Sequence, residues 1–160
     1  MTAITDRLLG FPNPVNEKAA RVVAGLVVLT ALSALLIQAE WLLWLLALGF
    51  LLRVLSGPRF SPFGLLATRV VAPRLGPPRL VPGPPKRFAQ GLGLAFSLTA
   101  ALCVSVGATT IGWVLVGLLV AAAFMESVFA FCVGCAIFGR LQQVGLIPAS
   151  VCEACVVGSR

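Results

Sequence analysis

The fold is decided by an uncharged run of 18 residues, VVAGLVVLTALSALLIQA, which extends from Val22 to Ala39. A helix needs about 20 apolar residues to cross a hydrocarbon layer about 30 Å thick, so this run predicts a membrane-spanning helix. The composition agrees, since 59% of the residues are hydrophobic, 11% are charged and the mean hydropathy is +1.05. Soluble domains carry roughly 25% charged residues. We therefore predict an integral membrane protein.

A second apolar run, WLLWLLALGFLL, extends from Trp41 to Leu52 and is separated from the first by Glu40. A single helix through both runs would be about 46 Å long at about 1.5 Å per residue, which is too long for the hydrocarbon layer. We therefore predict a helical hairpin that turns at Gln38–Glu40, with Trp41 and Trp44 near the membrane interface.

Two further apolar runs, Phe88–Val106 and Ile111–Phe131, predict a second hairpin with a tight connection at Gly107–Thr110. Small residues that would let these helices pack closely are Gly112, Gly117 and Ala121–Ala123. The predicted fold is an all-α, polytopic membrane protein. Its four transmembrane helices form two hairpins within residues 1–131, and a cysteine-rich tail follows over residues 132–160.

The connection between the two hairpins, Ser56–Gly91, holds eight of the eleven prolines. Within it, Ser61-Pro62 is typical of a helix N-cap followed by proline at the first helical position. A short amphipathic helix on the membrane surface, ending at Pro73, is predicted from the spacing of Phe63, Leu66 and Val70. The run GPPRLVPGPP that follows is expected to be extended, because proline interrupts helices.

The segment that precedes the first apolar run is predicted to turn and then to begin a helix. Pro12 and Pro14 interrupt the chain, Asn16 can cap a helix, and Glu17 would lie where the helix dipole favours an acid. An acid at Glu17, and the lack of an apolar core before a small-residue cleavage site, are not typical of a secretory signal peptide.

The formal net charge is +7, and the basic residues concentrate in and around the loop 56–87. The two short turns contain no Lys or Arg, so the positive-inside rule places the loop and both termini in the cytoplasm if there are four spans. We expect a multi-pass protein of the plasma (inner) membrane. Its basic residues would contact anionic lipid headgroups, and we expect no nucleic-acid partner.

The residue inventory excludes several classes of enzyme. The chain has no His and no Tyr, which excludes His-ligated haem, His-based zinc catalysis and His-containing triads. It has five Asp and Glu residues, which leave little room for a hydrolase built on paired carboxylates.

The most specific chemical signal is a pair of C-x2-C motifs, at Cys132/Cys135 and Cys152/Cys155. Cysteines three residues apart on a helix share a face, and two such pairs can hold one tetrahedral zinc ion. The same spacing lets two thiols form a disulfide or exchange with a partner's thiols. Zinc, thiol–disulfide or persulfide chemistry and an iron–sulfur cluster all remain open, although the close cysteine runs of most clusters are missing.

Glu126 is an acid inside the last apolar run, where a charge costs roughly 2.5–3.5 kcal/mol on insertion scales. It would accept a proton from a thiol, or else be a buried partner for Arg87, Arg53 or a hydroxyl group. Cys103 stands alone, and Met125 lies on the Cys132 face; both are expected to pack as apolar side chains.

Several segments together resemble the bacterial integral-membrane family known as domain of unknown function 4395. These segments are FPNPVNEKAARV, RFSPFGLLATRVVAPRLG, PGPPKRFAQG, and the tail FCVGCAIFGRL…GLIPASVCEAC. The resemblance implies a small multi-pass inner-membrane protein and carries the paired cysteines with it. It implies no particular activity or substrate.

The leading hypothesis is a thiol-active membrane protein. In it Cys132 and Cys135 are the exchanging pair at the membrane face. Cys152 and Cys155 are a second pair that passes electrons or sulfur to or from a soluble thioredoxin-like or rhodanese-like partner, and Glu126 accepts a proton. One alternative is a membrane scaffold whose four cysteines hold zinc as a structural ion. Another is a small transporter subunit that uses Glu126.

Overall fold

The protein is described by a computed structural model that covers residues 10–152, and it is all-α apart from one pair of two-residue strands. In chain order the elements are β1 (Val15–Asn16), α1 (Glu17–Ile37), α2 (Glu40–Ser56), α3 (Pro62–Leu65), β2 (Leu80–Val81), α4 (Gly83–Ser105), α5 (Thr109–Phe129) and α6 (Val133–Gln143). β1 and β2 pair antiparallel, with Val15 opposite Val81. The predicted all-α class is confirmed.

α1 ends and α2 begins at the position where the sequence predicted a turn. Gln38 has a left-handed backbone (φ 52°), and the Ala39 N–H donates to the Ala34 carbonyl at 3.0 Å. Because the first helix ends at this left-handed residue, the two apolar runs form separate helices, although neither Gly nor Pro lies between them. Asn16 caps α1 as predicted, accepting a hydrogen bond from the Lys18 N–H at 3.1 Å.

Hydrogen bonds join helix ends at one end of the bundle. The ends that lie there are the start of α1, the end of α2, the start of α4 and the end of α5. Arg21 at the start of α1 donates to the Ser127 carbonyl at 3.1 Å, and Arg87 at the start of α4 donates to the Val54 carbonyl at 3.1 Å. We call this the basic end. At the opposite end the Ser105 hydroxyl donates to Glu40.

Small residues bring the helices into close contact in the core. α2 packs mainly against α4, and α1 and α4 each pack against α5. A Cβ at Gly93 would lie 2.2 Å from the Phe50 ring, and one at Gly112 would lie 2.5 Å from the Val104 side chain. The predicted close packing is confirmed at Gly112 but not at Gly117, where a Cβ would meet no atom within 4 Å.

Three of the described helices are long and apolar enough to cross a membrane: α1, α4 and α5. α2 is also apolar but has 17 residues, which gives a length of about 26 Å.

The connection after α2 differs from its prediction in where its helix ends. The helix that starts at Pro62 does not end at Pro73; it continues as a π-helix over Leu66–Val71 and a 3-10 helix over Ala72–Leu75. Proline is tolerated at Pro73 because it occupies the first turn of the 3-10 helix, where no N–H bond is needed. Ser61 caps α3 as predicted.

The side of this connection that packs on the bundle consists of small residues, and the contact of Leu66 and Val70 with a membrane surface stays a prediction. Leu66 and Val70 are exposed, whereas Ala67 and Ala72 are buried in the segment that packs on α1. The small alanines allow close approach, and the larger side chains therefore point outward.

Two helix bounds also differ from the predictions. α4 begins at Gly83 rather than Phe88, since Pro84 and Pro85 fall in the first turn, where their missing N–H groups would have no helical partner. Of the predicted extended run, Leu80–Val81 is a strand. α5 ends at Phe129 rather than Phe131 because Ala130 is left-handed (φ 56°).

Candidate cysteine site at the start of the last helix

The cysteine pair Cys132/Cys135 opens a new helix instead of ending the preceding one. After the left-handed Ala130, Cys132 is extended (φ −86°, ψ 101°) and is the N-cap of α6. Cys135 lies in the first turn of the same helix. In the sequence the pair directly follows the apolar run that ends at Phe131, and a thiolate at the C-terminal end of that helix would face the unfavourable end of the helix dipole. The structure reverses the sign of that effect.

Cys132 and Cys135 are joined by a disulfide, and the Cys135 N–H donates to the Cys132 sulfur at 3.2 Å. The first turn of a helix carries N–H groups without helical partners and the positive end of the dipole. A thiolate at such a position would be favoured by these N–H groups, and the thiolate is the form of cysteine that attacks a disulfide.

Gly134, between the two cysteines, lets α6 lie directly on α4. A Cβ at this position would be 2.6 Å from both the Cα and the Cβ of Ala89. The contact is extended by Phe138, which is buried and meets Phe88 edge to face at 5.7 Å. The cysteine pair is therefore held against the first turns of α4.

A cavity of about 280 Å³ lies beside the pair. Cys132, Val133 and Gly134 contribute to its wall from α6 and the residue before it. Most of the remaining wall is apolar, and its other polar side chains are Gln90 and Glu126. The structure thus brings Glu126 and Cys132, two predicted site residues, to the same cavity.

Glu126 is paired with Lys86, whose Nζ lies 2.6 Å from Oε1 of the carboxylate. The two side chains are only 14% and 9% exposed. The predicted alternatives Arg87 and Arg53 are not the partners, since Arg87 faces the Val54 carbonyl and Arg53 faces Gln90. Lys86 was not predicted as the partner of Glu126. The signal that could have found it is its position just before the third apolar run, because in the predicted second hairpin this position lies beside the end of the fourth run.

Arg53 is buried within the bundle rather than directed at lipid headgroups, contrary to its prediction as part of the basic loop. It is 4% exposed, and its guanidinium lies 4.4 Å from the centre of the Phe50 ring. Its Nε donates to Gln90 at 2.8 Å and its Nη1 donates to the Ser61 hydroxyl at 3.1 Å. Arg53 therefore holds Gln90 in place at the cavity wall.

The second predicted pair is only partly described. Cys152 is buried and disulfide-bonded, and its carbonyl accepts from Gln142 at 3.2 Å. Cys155 lies outside the described residues. Within residues 10–152, no three His, Cys, Asp or Glu side chains form a group that could hold a metal ion. The four-cysteine zinc site stays a prediction, and it requires the reduced state because a disulfide sulfur is not a thiolate ligand.

Comparison with known proteins gives one match. Residues 15–143 match the family described as "Domain of unknown function (DUF4395)". The chain belongs to this family. The match confirms the family resemblance seen in the sequence. The matched residues include Cys132, Cys135, Lys86 and Glu126. No curated protein and no solved structure matches the chain.

Replacing Lys86 by Met leaves the Glu126 carboxylate without its partner in apolar surroundings. We expect this to lower the free energy of unfolding by about 3 kcal/mol, the lower range for breaking a buried pair. Adding Glu126→Leu should restore most of the loss, since no charge is then left to desolvate. Unfolding of the single and double variants in detergent micelles, followed by circular dichroism, measures this coupling.

The matched control is Arg69→Met, which removes a charge from an exposed position and should change stability by less than about 0.5 kcal/mol. If the loss of stability in the double variant equals the sum of the losses in Lys86→Met and Glu126→Leu, the two side chains are not coupled.

Proposed function

We propose that this DUF4395 protein is a four-span protein of the plasma membrane whose Cys132–Cys135 pair carries out thiol–disulfide exchange with a soluble protein on the cytoplasmic side. The observation that carries the proposal is the location of Cys132 as the N-cap of α6.

The outward surface of the bundle supports a membrane location with α2 as the fourth span. On α2, large apolar side chains are exposed at Trp41, Trp44, Leu48, Leu51 and Leu55. An apolar surface of this kind on a soluble monomer would promote association, whereas lipid would cover it. α2, which is about 26 Å long, would cross a hydrocarbon layer slightly thinner than average. Trp41 and Trp44, near its Glu40 end, would then lie at the membrane interface, where Trp is enriched.

The charge distribution supports a cytoplasmic location for the basic end. Every Lys and Arg within residues 10–152 belongs to a segment at that end, and the opposite turns carry Glu40. Positive residues near membrane spans remain in the cytoplasm. On this orientation the disulfide of Cys132–Cys135 also faces the cytoplasm.

A cytoplasmic location then favours a Cys132–Cys135 pair that alternates between the dithiol and the disulfide. The cytoplasm keeps most thiols reduced, so disulfides found there are mainly transient and catalytic or redox-sensing. A thiolate stabilised at a helix N-terminus attacks a partner disulfide and is also a good leaving group from the mixed disulfide. A thioredoxin-like protein would exchange electrons with the pair, and a rhodanese-like protein would exchange sulfur. Glu126 would accept a proton.

The four-span topology predicts which positions a membrane-impermeant maleimide reaches in whole cells. In a cysteine-free background, Thr110→Cys at the opposite end should be labelled from outside. Arg74→Cys at the basic end should be labelled only after the membrane is permeabilised. Labelling of Arg74→Cys in intact cells, or equal labelling of both, would contradict the orientation.

The exchange reaction predicts unequal reactivity of the two cysteines. A thioredoxin that retains only its exposed cysteine is activated as an aryl disulfide and mixed with the purified, reduced variant proteins. Cys135→Ser, which leaves Cys132, should form the covalent adduct roughly fivefold faster than Cys132→Ser, since the Cys132 sulfur accepts the N–H of residue 135 and such a hydrogen bond contributes about 1 kcal/mol. Release of the coloured aryl thiol gives both rates.

Cys103→Ser is the control and should not change the rate. The same reduced protein also tests the zinc alternative. One tightly bound zinc per chain, lost on changing any of Cys132, Cys135, Cys152 or Cys155 to Ser, together with no adduct, would favour the structural scaffold over exchange.

A further inference from the structure

The cavity beside Cys132 has walls suited to an uncharged, largely apolar ligand. Four long helices and α6 surround it, and its apolar wall includes Val27, Phe50, Phe96, Leu119 and Ala123. Its volume of about 280 Å³ would take a six-membered ring with substituents and the first part of an apolar tail. A charged, water-soluble disulfide would lose its hydration on these walls.

The rim of the cavity is also apolar. Leu118 on α5 is 54% exposed and Ile137 on α6 is 41% exposed, and both line the cavity. On the membrane location proposed above, such outward-facing apolar side chains contact lipid. The cavity would therefore receive its ligand from the bilayer rather than from water.

Three polar side chains on the wall add chemistry to the apolar space: Cys132, Gln90 and Glu126. The Gln90 amide oxygen accepts from Arg53, so the amide NH₂ is the group that this side chain can donate to a ligand. A ligand that matches the wall would carry a carbonyl oxygen, would exchange protons, and would react with a thiol pair.

We propose that the cavity binds the ring of a lipid-soluble quinone, which accepts electrons from the Cys132–Cys135 thiols. This inference rests on the exchange function proposed above and names its membrane partner. The two thiols lose two protons and two electrons and form the S–S bond. The quinone takes up both, and its two carbonyl oxygens become hydroxyl groups.

The wall residues have separate roles in this step. Gln90 donates to one quinone oxygen, and Glu126 passes a proton between the sulfur and the ring. Lys86 is a positioning residue that keeps Glu126 at the wall. A lipid acyl chain would also fit the apolar walls, but it needs neither a donor nor a thiol pair.

The test uses the purified full chain in detergent, reduced, freed of reductant and kept anaerobic. A short-chain ubiquinone is added, quinol formation is followed by ultraviolet absorbance, and thiols are counted by alkylation and mass spectrometry. We expect one quinol for every two thiols lost at Cys132 and Cys135. Ala122→Phe, which fills the cavity, should slow quinol formation at least tenfold while leaving the thioredoxin adduct reaction unchanged.

The matched control is Ala121→Phe, since Ala121 is exposed and does not line the cavity. It should leave the rate within about twofold of the original protein. If Ala122→Phe does not fold, Leu118→Trp at the half-exposed rim replaces it, with the same expected loss.

The outcomes separate the two proposals. Adduct formation without quinol formation overturns the quinone site alone. Failure of both reactions overturns the exchange function. Equal slowing by Ala121→Phe and Ala122→Phe shows that the quinone does not react in this cavity.

Discussion

The ion pair between Lys86 and Glu126 is the interaction on which the arrangement of the site depends. Two charges in apolar surroundings are stable only when they neutralise each other closely, and here the Nζ and Oε1 atoms are 2.6 Å apart. The pair ties the start of α4 to the end of α5. The chain then reverses at Ala130, and α6 returns over α4 at the point where Gly134 contacts Ala89. Together, these contacts place Cys132 at the wall of the cavity.

The site accordingly lies between two environments. Cys132 and Cys135 are both half-buried, so a soluble protein could reach the pair. Cys132 also lines an apolar cavity whose rim is apolar as well. In the two proposals together, the Cys132–Cys135 pair would take electrons from a soluble protein and pass them to a quinone in the apolar cavity.

Much of the fold was predictable because it follows from composition and local signals. Apolar length predicted α1, α4 and α5, and side-chain chemistry predicted the caps at Asn16 and Ser61. The break at Gln38 was predicted from length alone, since one helix would be too long. These features depend on residues near in sequence, or on the thickness of a membrane.

The rest depends on contacts between residues far apart in sequence. The face of the connection that packs on α1 was not predicted, because it consists of the small residues Ala67 and Ala72 rather than of large apolar side chains. The partner of Glu126 was missed because Lys86 is 40 residues away. Nothing in the apolar sequence VFAFCVGC, residues 128–135, marks Ala130 as left-handed. The new helix at Val133, and with it the electrostatic surroundings of Cys132, was therefore found only in the structure.

The reduction potential of the Cys132–Cys135 pair tests the central claim most directly. The purified protein would be equilibrated in buffers of graded dithiol and disulfide ratio, and each state counted by alkylation and mass spectrometry. A stabilised thiolate at the start of α6 favours the reduced state, so the account predicts a potential more positive than about −300 mV, the upper bound typical of structural disulfides. A pair that stays oxidised in buffers well below that value would contradict the account.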